Sequence, residues 1–380
     1  MDQPFDTVPD EAILDGRATD AYFLRTETTL EHAGKNPHVV AEVTADQFPT
    51  GEFEVVCGLP DVAALLAGRE LDVDAVPEGT LFDGGPVLLI EGRYLEFARF
   101  ETSLLGFLSQ ASAFATAALS VRRAAPEATV LSFGARHVHP ALAAVVERSA
   151  LIAGLDGISH VAAGERLGYE ASGTMPHALV LCFGRGAQEA AWLAFDEAVD
   201  GDVPRIALCD TFTDEADETL RAAQALGGRL SGARIDTTGS RRGDFRHILR
   251  EVRWELDARG FEDVELFASG GITPETMREI GDVVDGFGIG SAITDADPVD
   301  FALDIVEIDG EPISKRGKLS GVKEVYRTSD GGHHVGLRGH EGPEGGEALF
   351  EPLVRDGEVV RESEWEDARE RLRKDRSVVY

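Results

Sequence analysis

From Pro126 to about Ala302, short apolar runs alternate with helical stretches, and this alternation restricts the fold more than any other feature. Runs this short are too brief for helices and suit strands buried on both faces. Alternation of that kind builds parallel β/α units. The expected strands are Thr129 to Phe133, Asp156 to Ile158, Tyr169 to Ser172, Arg205 to Cys209, Arg229 to Ile235, Val264 to Ala268 and Val283 to Phe287. They end in Gly134-Ala135-Arg136, Ser159-His160, Gly173 to His177, Asp210-Thr211, Asp236-Thr237, Ser269-Gly270-Gly271 and Gly288-Ile289-Gly290-Ser291. In a β/α barrel, polar residues at the C-terminal strand ends form the active site.

The last two turns carry a more specific signal. Glycines let backbone N–H groups approach a phosphate, and a following helix N-terminus adds its positive dipole end. After Ser269-Gly270-Gly271, Thr273 reads as a helix N-cap with Pro274 at the first helical position. One such turn is an ordinary glycine turn more often than a phosphate site. Two in tandem, each closing an apolar run, point to phosphate.

Residues 1–116 read as an α/β cap domain, 117–302 as the barrel, and 303–380 as a small β-rich domain with a terminal helix. The cap has expected strands at Val39 to Val43, Phe53 to Cys57 and Pro86 to Ile90, and a helix opening at Leu59-Pro60-Asp61. Apolar residues then recur at helical spacing from Leu95 to Arg123. Small residues from Ala111 to Ala118 predict close helix–helix contact. The last domain has expected strands at Ile305 to Ile308, Val322 to Tyr326 and Leu349 to Val354, then a charged helix from Glu362 to Lys374.

The net charge of −33 argues against nucleic acid as a partner, because phosphate backbones need positive surface. An acidic surface that prefers Arg to Lys fits a salt-rich, halophilic cytoplasm, where the self-repulsion is screened. The acidic N-terminus lacks a signal-peptide core, and no apolar run reaches membrane-spanning length, so no membrane partner is expected. Cys57, Cys182 and Cys209 lie in apolar runs and read as reduced core thiols, which again suits a cytoplasmic protein.

Six segments occur in a fixed order: FGAR (133–136), GTMPH (173–177), CDT (209–211), RID (234–236), SGG (269–271) and GFGIG (286–290). With TDAY at Thr19 to Tyr22 and the post-barrel stretch from Glu307 to Gly321, the series resembles nicotinate phosphoribosyltransferase, in particular the archaeal enzymes of the type II phosphoribosyltransferase fold. The resemblance spans nearly the whole chain. It implies an irregular β/α barrel and transfer of 5-phosphoribosyl from phosphoribosyl pyrophosphate to nicotinate, in NAD salvage. It also implies a homodimer, or larger homo-oligomer, with shared active sites.

The resemblance assigns roles residue by residue. Phe133, with Tyr22 from a neighbouring subunit, stacks the pyridine ring. Arg136 clamps the carboxylate. Ser159 stands where nicotinamide-using relatives carry an aspartate, which favours an acid substrate. Asp210 and Asp236 are candidates for the ribose hydroxyls and for Mg²⁺ bound to pyrophosphate. Arg234, Arg241 and Arg242, with Ser269, Gly270, Gly271, Gly288, Gly290 and Ser291, are candidates for the phosphoribosyl and pyrophosphate groups. An alternative pairs the arginines with Asp244 and nearby acids. The family's D-S-G-D is replaced here by DTTGSRRGD, which weakens Asp244 as a metal ligand.

His177 corresponds to the histidine that ATP phosphorylates in the family, which makes the enzyme an ATP-coupled ligase. The plainer role is a histidine that only bonds a phosphate. Lys315, Arg316 and Lys318 either reach the active site or pair with Glu307, Asp309 and Glu311. No cysteine follows Cys209, so the zinc cluster of some archaeal relatives is not expected. Two rival functions remain. One is the decarboxylating quinolinate phosphoribosyltransferase, whose second carboxylate needs more basic residues. The other is a barrel that senses a phosphate ligand without catalysis.

Overall fold

A computed structural model describes residues 5–45, 49 and 53–379; the first four residues of the acidic N-terminus lie outside it. The chain divides into two compact units, residues 1–116 with 297–380, and residues 117–296. The labelled strands are β1 (His38–Ala45), β2 (Leu71–Ala75), β3 (Pro86–Arg93), β4 (Thr129–Ser132), β5 (Gly157–Ile158), β6 (Ile206–Leu208), β7 (Gly232–Ile235), β8 (Glu265–Ala268), β9 (Gly286–Ile289), β10 (Phe301–Ile308), β11 (Glu311–Pro312), β12 (Glu351–Arg355) and β13 (Glu358–Val359).

The first unit is built on an antiparallel sheet of order β11-β10-β1-β3-β2-β12-β13. The expected third domain is therefore not separate. Its strands β10 and β12 pair with β1 and β2, because the exposed flanks of an N-terminal sheet need covering. Lys323–Arg327, His333–Leu337 and Glu347–Ala348 make a smaller sheet.

The long helix Glu101–Ala124 forms as its apolar periodicity predicts. Its small residues admit an extended segment rather than another helix. Val55 N–H donates to Thr116 Oγ1 at 2.9 Å, and Cys57 N–H donates to Ser112 Oγ at 3.1 Å. The stretch Tyr94–Ala124 is long and apolar enough by composition to cross a bilayer, contrary to expectation. In its most apolar window 61% is buried within the protein, as in a core helix. Cys57 and Cys209 are buried as expected, but Cys182 is exposed, in the helix His177–Phe183.

The second unit holds a parallel sheet of order β5-β4-β9-β8-β7-β6. Helices such as Ala143–Ile152, Glu215–Leu226 and Phe245–Asp257 connect the strands. The result is an open, half-barrel sheet of parallel strands, as the alternation predicts. The expected strand Tyr169 to Ser172 forms no ladder. It is held beside β5 by Ser172 N–H donating to Ile158 O at 2.7 Å, and by Tyr169 Oη–H donating to Asp156 O at 2.7 Å.

Candidate active site

In a parallel sheet all C-terminal strand ends lie on one edge. That edge gathers Phe133 to Arg136 after β4, Ser159 after β5, Asp210 after β6, Asp236 after β7, Ser269 to Gly271 after β8, and Gly290-Ser291 after β9. Ser132 pairs with Ile158, so Phe133 and Ser159 leave their strands side by side.

The glycines divide by cause. Gly270 and Gly271 have φ of +84° and +65°, a left-handed pair that side chains resist. A Cβ on Gly270 would also collide with Asp236 Oδ1. Gly288 is different: it lies inside β9, not in the expected turn, because that strand runs Gly286–Ile289. A Cβ there would come within 2.6 Å of Phe133 Cδ2. The glycine is thus the floor of an aromatic ring, whose backbone N–H is fixed to Ile289 O at 2.7 Å. Gly290 performs the turn, with His137 Cε1 2.6 Å from where its Cβ would stand. Ser291 begins the short helix Ser291–Thr294 that follows.

The arginines also divide. Arg234 is buried and donates to Thr174 Oγ1 (3.0 Å), Asp236 Oδ2 (2.9 Å), Ser269 Oγ (2.9 Å) and Met175 O (2.8 Å). A guanidinium has five N–H donors, so little of Arg234 is left for a ligand. It braces three loops and fixes Asp236. Arg242 does the same between Thr237 O (3.0 Å), Ser269 O (3.1 Å) and Gly270 O, over the Phe245 ring. Arg246 turns away to Asp282, and Asp244 caps the helix Phe245–Asp257 through His247 N–H at 3.0 Å. Arg136 and Arg241 are exposed, and their side chains make no hydrogen bond or ion pair among the described residues.

Asp210 lies beneath this edge, its side chain 2% exposed. Its Oδ2 accepts from Asp236 N–H at 2.7 Å and Thr237 Oγ1 at 3.1 Å. Its Oδ1 has no hydrogen bond and stands 3.7 Å from His177 Nε2. Burial raises the Asp210 carboxyl above its usual range, against the lowering pull of His177 and the two donors. His177 Nδ1 is 3.2 Å from Thr211 Oγ1. Among the described residues, nothing donates a hydrogen bond to Asp210 Oδ1 or Asp236 Oδ1. No group of three or more metal-ligating side chains exists among the described residues. Two free carboxylate oxygens suit Mg²⁺, which takes most of its ligands from substrate phosphates and water.

Two functional groups escape sequence reasoning. Glu147 is buried and accepts from Ser159 N–H and His160 N–H, both at 3.2 Å. Glu218 accepts from three successive backbone N–H groups after Asp210. A lone carboxylate inside the apolar run AAVVERSALI was the available signal for Glu147.

Residues 20–112 match the N-terminal domain of quinolinate phosphoribosyl transferase, and residues 114–304 match its C-terminal domain. The chain belongs to the type II phosphoribosyltransferases. This phosphoribosyltransferase is 29% identical over 367 residues to a nicotinate phosphoribosyltransferase of Mycobacterium tuberculosis, covering 87% of this chain and 79% of that one. It is 27% identical over 280 residues to the Bacillus subtilis nicotinate phosphoribosyltransferase, covering 68% and 56%. Its fold is similar to that of nicotinate-nucleotide pyrophosphorylase from Pyrococcus furiosus, with TM-score 0.96, 47% identity and 99% of each chain covered. Human nicotinic acid phosphoribosyltransferase shares the fold, with TM-score 0.77, 21% identity, and 95% and 94% covered.

Tyr22 opens the helix Ala21–His32 in the first unit, with 54% of its surface exposed. Asp20 anchors that helix start: its backbone N–H donates to Thr102 Oγ1 at 3.2 Å, and its carboxylate accepts from the same hydroxyl at 3.0 Å. Lys315 pairs with Asp304 at 2.6 Å rather than with Glu307, Asp309 or Glu311 among the described residues, and Lys318 reaches the same carboxylate at 3.5 Å.

Proposed function

We propose that the enzyme transfers 5-phosphoribosyl from phosphoribosyl pyrophosphate to nicotinate, releasing pyrophosphate and forming nicotinate mononucleotide. The observation that carries this reading is Arg136, a partnerless arginine in an acidic chain, next to an aromatic ring and a serine loop. One free guanidinium fork matches one carboxylate. Quinolinate carries two.

The pyridine nitrogen holds a lone pair, so no general base is needed. Catalysis comes from positioning and from electrostatic support of the cation-like ribose and the departing pyrophosphate. Phe133 supplies one face for the ring, and an exposed Tyr22 from a second copy the other, which makes the working form a homodimer or larger. Gly270, Gly271, Gly290 and Ser291 present backbone N–H groups to phosphate, while Arg241 adds an unpaired positive charge. Arg234 and Arg242 hold this frame. Asp210 and Asp236 would hold Mg²⁺, which neutralises charge on the pyrophosphate when bound.

His177 is the proposed acceptor of a phosphoryl group from ATP. That role needs the lone pair on Nδ1 and the proton on Nε2, the nitrogen that stands 3.7 Å from the buried Asp210 Oδ1. The free thiols and acidic surface suit a cytoplasmic setting.

The second reading, quinolinate phosphoribosyltransferase, draws on the 47% identity to the Pyrococcus furiosus pyrophosphorylase. Parallel assays with nicotinate and with carboxyl-labelled quinolinate separate the two. Nicotinate turnover without CO₂ release from quinolinate is expected; quinolinate turnover with CO₂ release refutes the proposal. Binding of phosphoribosyl pyrophosphate with neither product formed would indicate a sensor. His177→Asn should keep slow ATP-independent synthesis and lose stimulation by ATP; ATP stimulation equal to wild type would remove the phosphohistidine.

A further inference from the structure

Glu218 is fully buried, in the first turn of the helix Glu215–Leu226. Its Oε2 accepts from Thr211 N–H at 2.8 Å. Its Oε1 accepts from Phe212 N–H at 2.7 Å, Thr213 N–H at 2.9 Å and Gln188 Nε2 at 3.2 Å. A carboxylate placed under consecutive amides fixes a loop far more tightly than solvent does, because each charge-assisted bond is strong and every donor is satisfied. The residue it fixes most directly is Thr211, whose hydroxyl meets His177 Nδ1 at 3.2 Å.

We infer that Glu218 is a positioning residue: through Thr211 it sets the orientation and tautomer of His177. Asp210 faces one ring nitrogen and Thr211 the other, so the loop between them decides which nitrogen keeps its lone pair. If Thr211 drifts, its hydroxyl no longer donates to Nδ1 and the second tautomer gains population. The inference rests on the reading of His177 as the reactive group, but the tautomer itself can be measured without any substrate.

The test is imidazole ¹⁵N NMR of the full chain labelled at histidine, with His177→Asn used for assignment. In the wild type the minor tautomer should stay below about 10%. Glu218→Gln, which faces an amide group or a lone acceptor toward three donors, should raise that fraction severalfold. Thr211→Val should do the same with Glu218 intact. Should Glu218→Gln not fold, Glu218→Asp keeps the charge, shortens the reach by one methylene and carries the same expectation. Folded Glu218 variants with the wild-type nitrogen shifts overturn the inference. The ratio of ATP-stimulated to ATP-independent synthesis is measured on the same samples. If the wild type shows no ATP stimulation, the phosphohistidine reading fails, and the NMR comparison still decides the role of Glu218.

Discussion

Gly288→Ala probes the aromatic platform without touching a polar group. The new methyl would lie 2.6 Å from Phe133 Cδ2, and closer to Cε2. Carbon atoms rest about 3.5–4.0 Å apart, so the ring must retreat by roughly 1 Å or more. Its backbone cannot follow, because Phe133 N–H is tied to Ile289 O. The ring therefore swings on its side-chain torsions toward the open edge, where it is only half-buried. Overpacking costs about 1–3 kcal/mol, which lowers Tm by about 2–4 °C per kcal/mol in a unit of this size. The larger effect is on catalysis: a reacting group misplaced by about 1 Å costs on the order of 100-fold. Steady-state kinetics should show kcat/KM for nicotinate down by about that factor, with KM for phosphoribosyl pyrophosphate within about twofold. A kcat/KM for nicotinate within twofold of wild type, in a variant whose Tm has fallen, would refute the placement of the ring on Phe133.

Arg136→Ala should raise the KM for nicotinate by about 10- to 150-fold, the equivalent of about 1.5–3 kcal/mol, because the lost contact is charge-assisted. Tm should move little, since the side chain is exposed and has no hydrogen bond or ion pair among the described residues; an unchanged KM removes Arg136 from the site. Glu101 is pushed up to about 7, chiefly by burial and then by Asp304. A raised carboxyl pKa means the folded state holds a proton that the unfolded state has lost, so wild-type stability falls as pH rises from about 4.5 to 7. Glu101→Gln should therefore raise Tm at pH 8 and leave it nearly unchanged at pH 4; an equal effect at both would exclude the linkage. Thermal stability should climb between 0.1 and 1 M KCl, as the screening length falls from about 10 to 3 Å around a net charge of −33; a flat Tm would show that the acidity does not set the salt requirement.

Local features of the barrel could be read from sequence because they are locally caused. The strands β4, β6 and β8 are apolar runs bounded by glycine and polar residues, and Thr273 caps its helix through Thr276 N–H at 3.3 Å. What escaped was caused at a distance. Gly288 reads as a turn glycine, yet it lies in a strand, where the Phe133 ring occupies the space a side chain would take. The C-terminal strand β10 was legible as a strand, but its pairing with β1, across some 260 residues, was not. Arg234 and Arg242 read as phosphate ligands by type and position. Their donors are instead committed to Asp236, Ser269 and the loop carbonyls, partners that only the assembled edge brings near. Glu147 and Glu218 bind backbone N–H groups of loops, and only Glu147, a carboxylate inside an apolar run, left a trace in the sequence.

The most direct measurement is a crystal structure of the protein with nicotinate bound. A pyridine ring lying on Phe133, with its carboxylate in the fork of Arg136 and its nitrogen facing the Ser269–Gly271 turn, is the predicted result. Ordered nicotinate elsewhere, with Phe133 and Arg136 untouched, would contradict it.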